Sequence, residues 1–353
     1  MLSWQFRLLR LYFRAQKFFS RADGKINILK EREELEALAK SFKPLGKIAC
    51  TPVMAGGVPA EWILPAGITA GRVVLYLHGG SYISGSVNSH RALAANIATA
   101  AGARALVLDY RLAPEHPYPA ALEDALAAYH WLLSNNVSAE EICVAGDSAG
   151  GGLAAALLLA LRDAGDPLPA AGILLSALTD MAFTGETLKT KTKVDLILDF
   201  GKESQFAPLY LGDTDPRSPL VSPLYADLRG LPPLLIQVGS DEILLSDSTR
   251  LAEKARAAGV DVALGRDAAR LALRGQPHSR GPECDPQDWG IHSRKLMKNP
   301  DTNVAGGLHN WQRRPPVILS VWDYECAIPA RHKQVQPPRG WLSACHAGFP
   351  RWF

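Results

Sequence analysis

The sequence predicts an α/β protein, a mostly parallel sheet with helices packed on both faces. Three observations carry that expectation. Short apolar runs alternate with helix-period segments, the strand, helix, strand pattern of a sheet covered on two sides. The 353 residues suffice for one large domain or two small ones. The composition is 47% hydrophobic and 21% charged, which is globular rather than disordered.

Taken in order, residues 2–19 mix Leu2, Trp4, Phe6, Leu8, Leu9, Tyr12 and Phe13 with Arg7, Arg10, Arg14 and Lys17. That pattern suits an amphipathic helix packed over a pocket; the alternative is a helix lying on a membrane surface. The interrupting charges argue against a signal peptide. Glu31 to Lys40 reads as a second, polar helix. Strands are expected at 73–77, 105–108, 142–145, 172–175, 234–238 and 260–264. Helices are expected at 92–101, 120–134, 152–164 and 246–258. Residues 181–225 break the rhythm and read as a helical insertion above the sheet. The longest apolar stretch, Leu153 to Leu161, is too short to span a bilayer, so stable membrane insertion is not expected.

The net charge of +3 is too weak to argue for nucleic acid. Its distribution is uneven: residues 1–264 carry −3 and residues 265–353 carry +6. The latter also hold 10 of the 25 prolines, 5 of the 8 tryptophans and 3 of the 5 cysteines. Cys50, Cys143, Cys284, Cys326 and Cys345 fit no metal site or disulfide framework. Cys143, in an apolar run, reads as a small buried hydrophobe. The expectation is a reducing, cytoplasmic compartment.

The chemistry is concentrated at strand ends. Gly146-Asp147-Ser148-Ala149-Gly150 sits between the strand at 142–145 and the Ala/Leu-rich helix after it. A serine on such a turn is thrust out at the strand's C-terminal end, with glycines relieving the crowding. The helix N-terminus favours the negative charge that develops in acyl transfer. The bland alternative is a glycine-rich turn with an ordinary serine. His78-Gly79-Gly80-Ser81 follows the strand at 73–77. The N–H groups of Gly79, Gly80 and Ala149 are the expected oxyanion donors, and His78 reads as structural. Asp241, in Gly239-Ser240-Asp241-Glu242 after the strand at 234–238, is the expected acid, whose work is to orient a histidine. Its bland alternative is an N-cap, and Glu242 and Asp247 are its rivals. The loop Asp109 to Pro117 reads as a rigid buttress with no catalytic role.

Together these pieces resemble the hormone-sensitive-lipase family of bacterial esterases. The matching segments are His78-Gly79-Gly80, Tyr110-Arg111-Leu112-Ala113-Pro114-Glu115, Gly146-Asp147-Ser148-Ala149-Gly150-Gly151 and Asp241, spread over roughly residues 20–264. Ser81 stands where many members carry a third glycine. The resemblance implies an α/β-hydrolase fold with an eight-stranded sheet. It also implies a helical cap from residues 1–45 and the insertion, and a core over 46–264. The implied reaction is hydrolysis of short- to medium-chain acyl esters through an acyl-enzyme, with a small-molecule ester as partner and no cofactor or metal. A homodimer is allowed.

The same resemblance implies a general base in a Met-Pro-His-like loop after the last strand, and none follows Leu264. His278 is the next histidine, in no such context; His292, His309, His332 and His346 lie further on, and His90, His116 and His130 in the body. The genetic code offers an explanation. Joining the last two bases of each codon to the first of the next, residues 267–272 can spell Met-Pro-His-Val-Trp. Residues 285–293 then fit Ile-x-Arg-Ile-Gly-x-Phe-Ile, like the family's closing helix. Met297 followed by Lys298 must give a TGA stop. We therefore expect 265–353 to be an out-of-frame, non-native tail. Two further function classes fit the body: a non-catalytic small-molecule binding protein, similar to the plant gibberellin receptors that keep the fold without the histidine, and a lactone or amide hydrolase using the same residues.

Overall fold

A computed structural model of the chain describes residues 27–69, 71–195 and 197–266. Helix α1 (Ile28–Ala39) precedes the hairpin β1 (Ile48–Ala55) and β2 (Val58–Pro65). There follow β3 (Val73–Leu77), α2 (Val87–Ala101), β4 (Arg104–Leu108), α3 (Ala120–Ser134), β5 (Ile142–Asp147), α4 (Ala149–Ala164) and β6 (Ala171–Leu175). The insertion carries α5 (Thr187–Thr190), α6 (Phe200–Leu211) and a 3-10 turn at Pro223–Tyr225. The chain then returns as β7 (Leu234–Gln237), α7 (Leu245–Ala257) and β8 (Val262–Gly265). The strands form one eight-stranded sheet in the order β1-β2-β4-β3-β5-β6-β7-β8. Pairings β1/β2 and β2/β4 are antiparallel and all others parallel.

The parallel strands are apolar throughout because helices cover both faces; every side chain of β3 is buried. On one face Leu75, Leu77, Val144, Leu174 and Ile236 pack against α3, α4 and α7. On the other, Val74, Tyr76, Val107, Cys143 and Ala145 pack with Leu93, Ala94 and Ile97 of α2. The hairpin is absent from the residue-level reading, for a physical reason. Pro52, Pro59 and Pro65 lie in its strands and β1 is largely exposed, so neither carries the usual signature. Its turn is Gly56-Gly57, both at positive φ (64° and 90°), which a side chain resists. Three boundaries also move. Helix α2 starts at Val87, five residues earlier than its periodicity suggested, because Ser86 and Ser89 form a capping box. Helix α4 starts directly after Ser148. Strand β8 continues through Gly265, one residue into the expected tail.

Helix α1 buries none of its residues and is tied down by polar contacts. Arg32 donates to Ile83 O at 2.7 Å, to Ala113 O at 3.1 Å and to both Glu115 carboxylate oxygens at 2.9 and 2.7 Å. One turn on, Glu36 accepts from the Ser86 hydroxyl. Residues 1–26, including the expected first helix, lie outside the described residues, as do 267–353. Among the described residues no helix is long and apolar enough to cross a membrane.

Candidate active site

Parallel pairing lines up the C-terminal ends of β3, β5, β6 and β7. Leu77 pairs with Gly146, Asp147 with Leu175 and Leu175 with Gln237. Ser148 follows β5 with φ 51° and ψ −121°, a sparsely populated conformation that costs about 1–3 kcal/mol. It is held by Ser148 N–H donating to Leu175 O at 2.8 Å and by Ser148 O accepting from Leu178 N at 2.9 Å. The flanking glycines are required by backbone contact. A Cβ on Gly146 would sit 2.2 Å from Gly150 O, and one on Gly150 would sit 2.1 Å from Leu77 O. The serine is partly exposed, and Ala149 behind it is fully buried at the start of α4, where amide N–H groups have no helical acceptor.

The turn after β3 meets this elbow directly. A Cβ on Gly79 would lie 2.3 Å from Asp147 Oδ2, and Gly80 runs at φ 119°. Of the three expected oxyanion donors, Gly79 needs correction. Its N–H donates to Asp147 Oδ1 at 3.0 Å, so the carboxylate between the two turns has claimed it. No acceptor takes the Gly80 N–H among the described residues, which leaves Gly80 and Ala149 as the available pair. His78 is fully buried, its ring stacked on Tyr110 at 4.2 Å, with Nδ1 2.8 Å from Gly79 O. Burial, reinforced by neighbouring His90, lowers its pKa to about 3. It is neutral, and its role is structural.

The acid loop contrasts two neighbours. Asp241 is partly exposed and its carboxylate accepts no hydrogen bond among the described residues. Glu242, also partly exposed, accepts from Gly239 N at 2.9 Å. Ser176 is the residue after the carbonyl that holds Ser148 N–H, and itself has φ 44°. Burial pushes Glu242 up to about 7, against the pull of Ser176 and Gly239, with the Asp195 carboxylate adding to the rise. Asp247 is committed elsewhere. It accepts from Thr179 N at 2.8 Å and Asp180 N at 3.0 Å, pinning the start of the insertion. What the motif could not show is which way consecutive carboxylates point.

No histidine among the described residues is hydrogen-bonded to Ser148, Asp241 or Glu242. His90 lies 3.4 Å from Asp147 Oδ2, and His130 pairs with Asp166 at 2.9 Å on the outer surface of α3; His116 is exposed. His278 and the other tail histidines lie outside the described residues. Strand β8 pairs Gly265 with Gln237, so the chain leaves the sheet at the edge where the acid loop stands. The loop at 109–117 braces the site: Tyr110 Oη donates to His78 O at 2.6 Å, and Ala113 N to Tyr82 O at 2.9 Å. Among the described residues no cluster of three His, Cys, Asp or Glu side chains could hold a metal.

Comparison with known proteins bears on this constellation. The family model for the α/β-hydrolase fold matches residues 74–270. An acetyl-hydrolase of Streptomyces hygroscopicus is 49% identical over 223 residues, 63% of this chain and 74% of that protein. An esterase of Acinetobacter venetianus is 39% identical over 232 residues, 65% of this chain and 76% of that protein. A crystal structure of an esterase from the bacterial hormone-sensitive lipase family superposes with a TM-score of 0.72 at 38% identity, covering 93% of this chain and all of that one (100%).

Proposed function

The chain belongs to the α/β-hydrolase fold family, and from that premise we propose that it is a carboxylic-ester hydrolase acting on short- to medium-chain acyl esters, with Ser148 as nucleophile. The observation that carries the proposal is the backbone of Ser148, held at φ 51° and ψ −121° on the elbow to which the Asp147 carboxylate ties the oxyanion turn through the Gly79 amide. Strain of this kind persists only where the surroundings over-determine it. Ser148 Oγ attacks the acyl carbon, the Gly80 and Ala149 N–H groups hold the oxyanion, and water frees the acyl-enzyme. Of the two candidate acids we take Asp241: its partly exposed carboxylate is left open to an imidazole, whereas Glu242 accepts from Gly239 N at 2.9 Å.

The general base belongs to the frame-shifted codons after β8. Three facts support this part of the proposal: no described histidine meets Ser148, β8 delivers the chain to the acid's edge, and the family match ends at residue 270. A chain without its base keeps the binding and oxyanion contributions but loses about a millionfold in rate, by analogy with serine proteases. The same absence favours the second reading, a pocket that binds esters or acids without cleaving them.

The test is fluorophosphonate labelling followed by intact-mass spectrometry, with p-nitrophenyl esters of rising chain length. Labelling and hydrolysis are expected in a chain whose frame after β8 is restored, absent in its Ser148→Ala variant, and residual in the parent, which lacks the base. Equal hydrolysis with and without Ser148 would sink the enzyme reading, and ester binding with no labelling of the restored chain would favour the binding protein.

A further inference from the structure

The oxyanion turn is built from two successive peptide planes, and each is held at a different atom. In the first, between His78 and Gly79, the carbonyl accepts from Tyr110 Oη at 2.6 Å and the N–H donates to Asp147 Oδ1 at 3.0 Å. The plane is gripped at both ends. In the second, between Gly79 and Gly80, the carbonyl stands 2.8 Å from His78 Nδ1. The opposite end of that plane is the Gly80 N–H. A peptide unit is rigid and planar, so fixing the first plane and the second carbonyl sets the direction of that N–H.

We infer that Asp147 is the positioning residue of the oxyanion hole, its carboxylate bolting the Gly79 amide to the elbow so that the Gly80 N–H is presented to the oxygen that the Ala149 N–H also serves. The inference rests on the Ser148 reading above and adds a residue that the reading leaves idle. Asp147 immediately precedes Ser148, so one residue ties the nucleophile's turn to the donor's turn. Its carboxylate also accepts from Tyr76 Oη of β3 at 2.6 Å and faces His90 Nε2 of α2 at 3.4 Å. Contacts from β3, its turn and α2 leave the carboxylate one orientation. The packing allows no slack, since a Cβ on Gly79 would meet Asp147 Oδ2 at 2.3 Å and Asp147 O at 3.0 Å. Asp147 touches neither substrate nor the reacting atoms.

Two substitutions with the same branched shape separate the acceptor from mere bulk. Asp147→Asn keeps an oxygen for Gly79 N–H and Tyr76 Oη and offers its amide to His90. Asp147→Leu fills the space and accepts nothing. The readout is the rate at which a fluorophosphonate labels Ser148 in the chain with its frame restored after β8, followed by intact mass. It registers single events, and its transition state also places an oxygen in the hole. Asp147→Leu should label at least about tenfold more slowly, as for a misdirected oxyanion donor, and Asp147→Asn within about threefold of the parent. Tyr110→Phe, which frees the other end of the same plane, should also be slowed; if Asp147→Leu does not fold, this variant decides. Labelling at the parental rate in folded Asp147→Leu or Tyr110→Phe, with Ser148→Ala unlabelled, overturns the inference and leaves the Ser148 reading standing. A frame-restored chain that is never labelled takes both down.

Discussion

Glu242 is a carboxyl group that no positive charge among the described residues faces. Gly239 N holds one of its oxygens, yet burial lifts it to about 7. An imidazolium there would pull it back down. Since the folded value lies above the ordinary 4.5, the folded chain binds this proton more tightly than the unfolded chain. The resulting stability is present below the ordinary value and is lost as pH rises through about 4.5 to 7. Asp247, raised by burial and by Asp180 to about 7, acts in the same sense. Urea unfolding at pH 5 and 7.5 should therefore show the parent losing more stability than Glu242→Gln, which keeps only the Asp247 share. Equal losses in parent and Glu242→Gln would mean that the Glu242 carboxyl is not held as described. In a chain supplied with its histidine, Asp241→Asn should cost about 10⁴ in kcat, the loss expected when a triad acid no longer fixes its imidazole. If Glu242→Gln is instead the crippled variant, the acid is Glu242.

At the scale of elements, the site is a contact between two turns, and glycines set how close they come. Gly150→Ala would place a methyl group 2.1 Å from Leu77 O and 2.4 Å from His78 O, against backbone that cannot rotate away. Overpacking of this kind costs about 1–3 kcal/mol, and the shift is directed at the oxyanion turn. We expect a lower urea midpoint together with slower labelling of Ser148; a stable, equally reactive variant would show that the turns are not in register. These contacts also explain what the sequence could reveal. Strand β3 and helix α3 were legible to the residue, because an unbroken apolar run and a helical period are properties of the segment itself. The elbow was legible because its glycines and serine are adjacent in the chain. The proline-rich β1 and β2 were not, since their place in the sheet comes from partners rather than pattern. Nor was the assignment of the Gly79 amide to Asp147, or the choice between Asp241 and Glu242. Both depend on side-chain direction across a gap that joins residues distant in the chain.

At the scale of the molecule, the two sheet faces are unequally covered. Helices α3, α4 and α7 span one of them, while among the described residues α2 alone covers the other and lies over β2, β4 and β3. On that second face, beyond α2, Ile173, Leu175 and Gln237 are buried, while Leu235 is half-buried. Gln237 is buried, and its Oε1 has no donor among the described residues, a deficit worth about 1–3 kcal/mol. Strand β8 is only half buried along its length. A helix following β8 would cover this edge, and the shifted frame can spell an apolar one after a histidine-bearing loop. Removing one nucleotide between the codons for Leu264 and Asp267 should therefore change three properties at once. The chain should end at the stop spanning Met297 and Lys298, bind less of a dye that reports exposed apolar surface, and hydrolyse p-nitrophenyl butyrate at least about a thousandfold faster, as recovery of a missing base requires. The three gains share one cause, so they stand or fall together. A shortened chain that gains neither cover nor rate, or codons at 269 and 270 that cannot encode histidine in the shifted frame, would leave residues 265–353 as a genuine part of the protein and require the base to come from them.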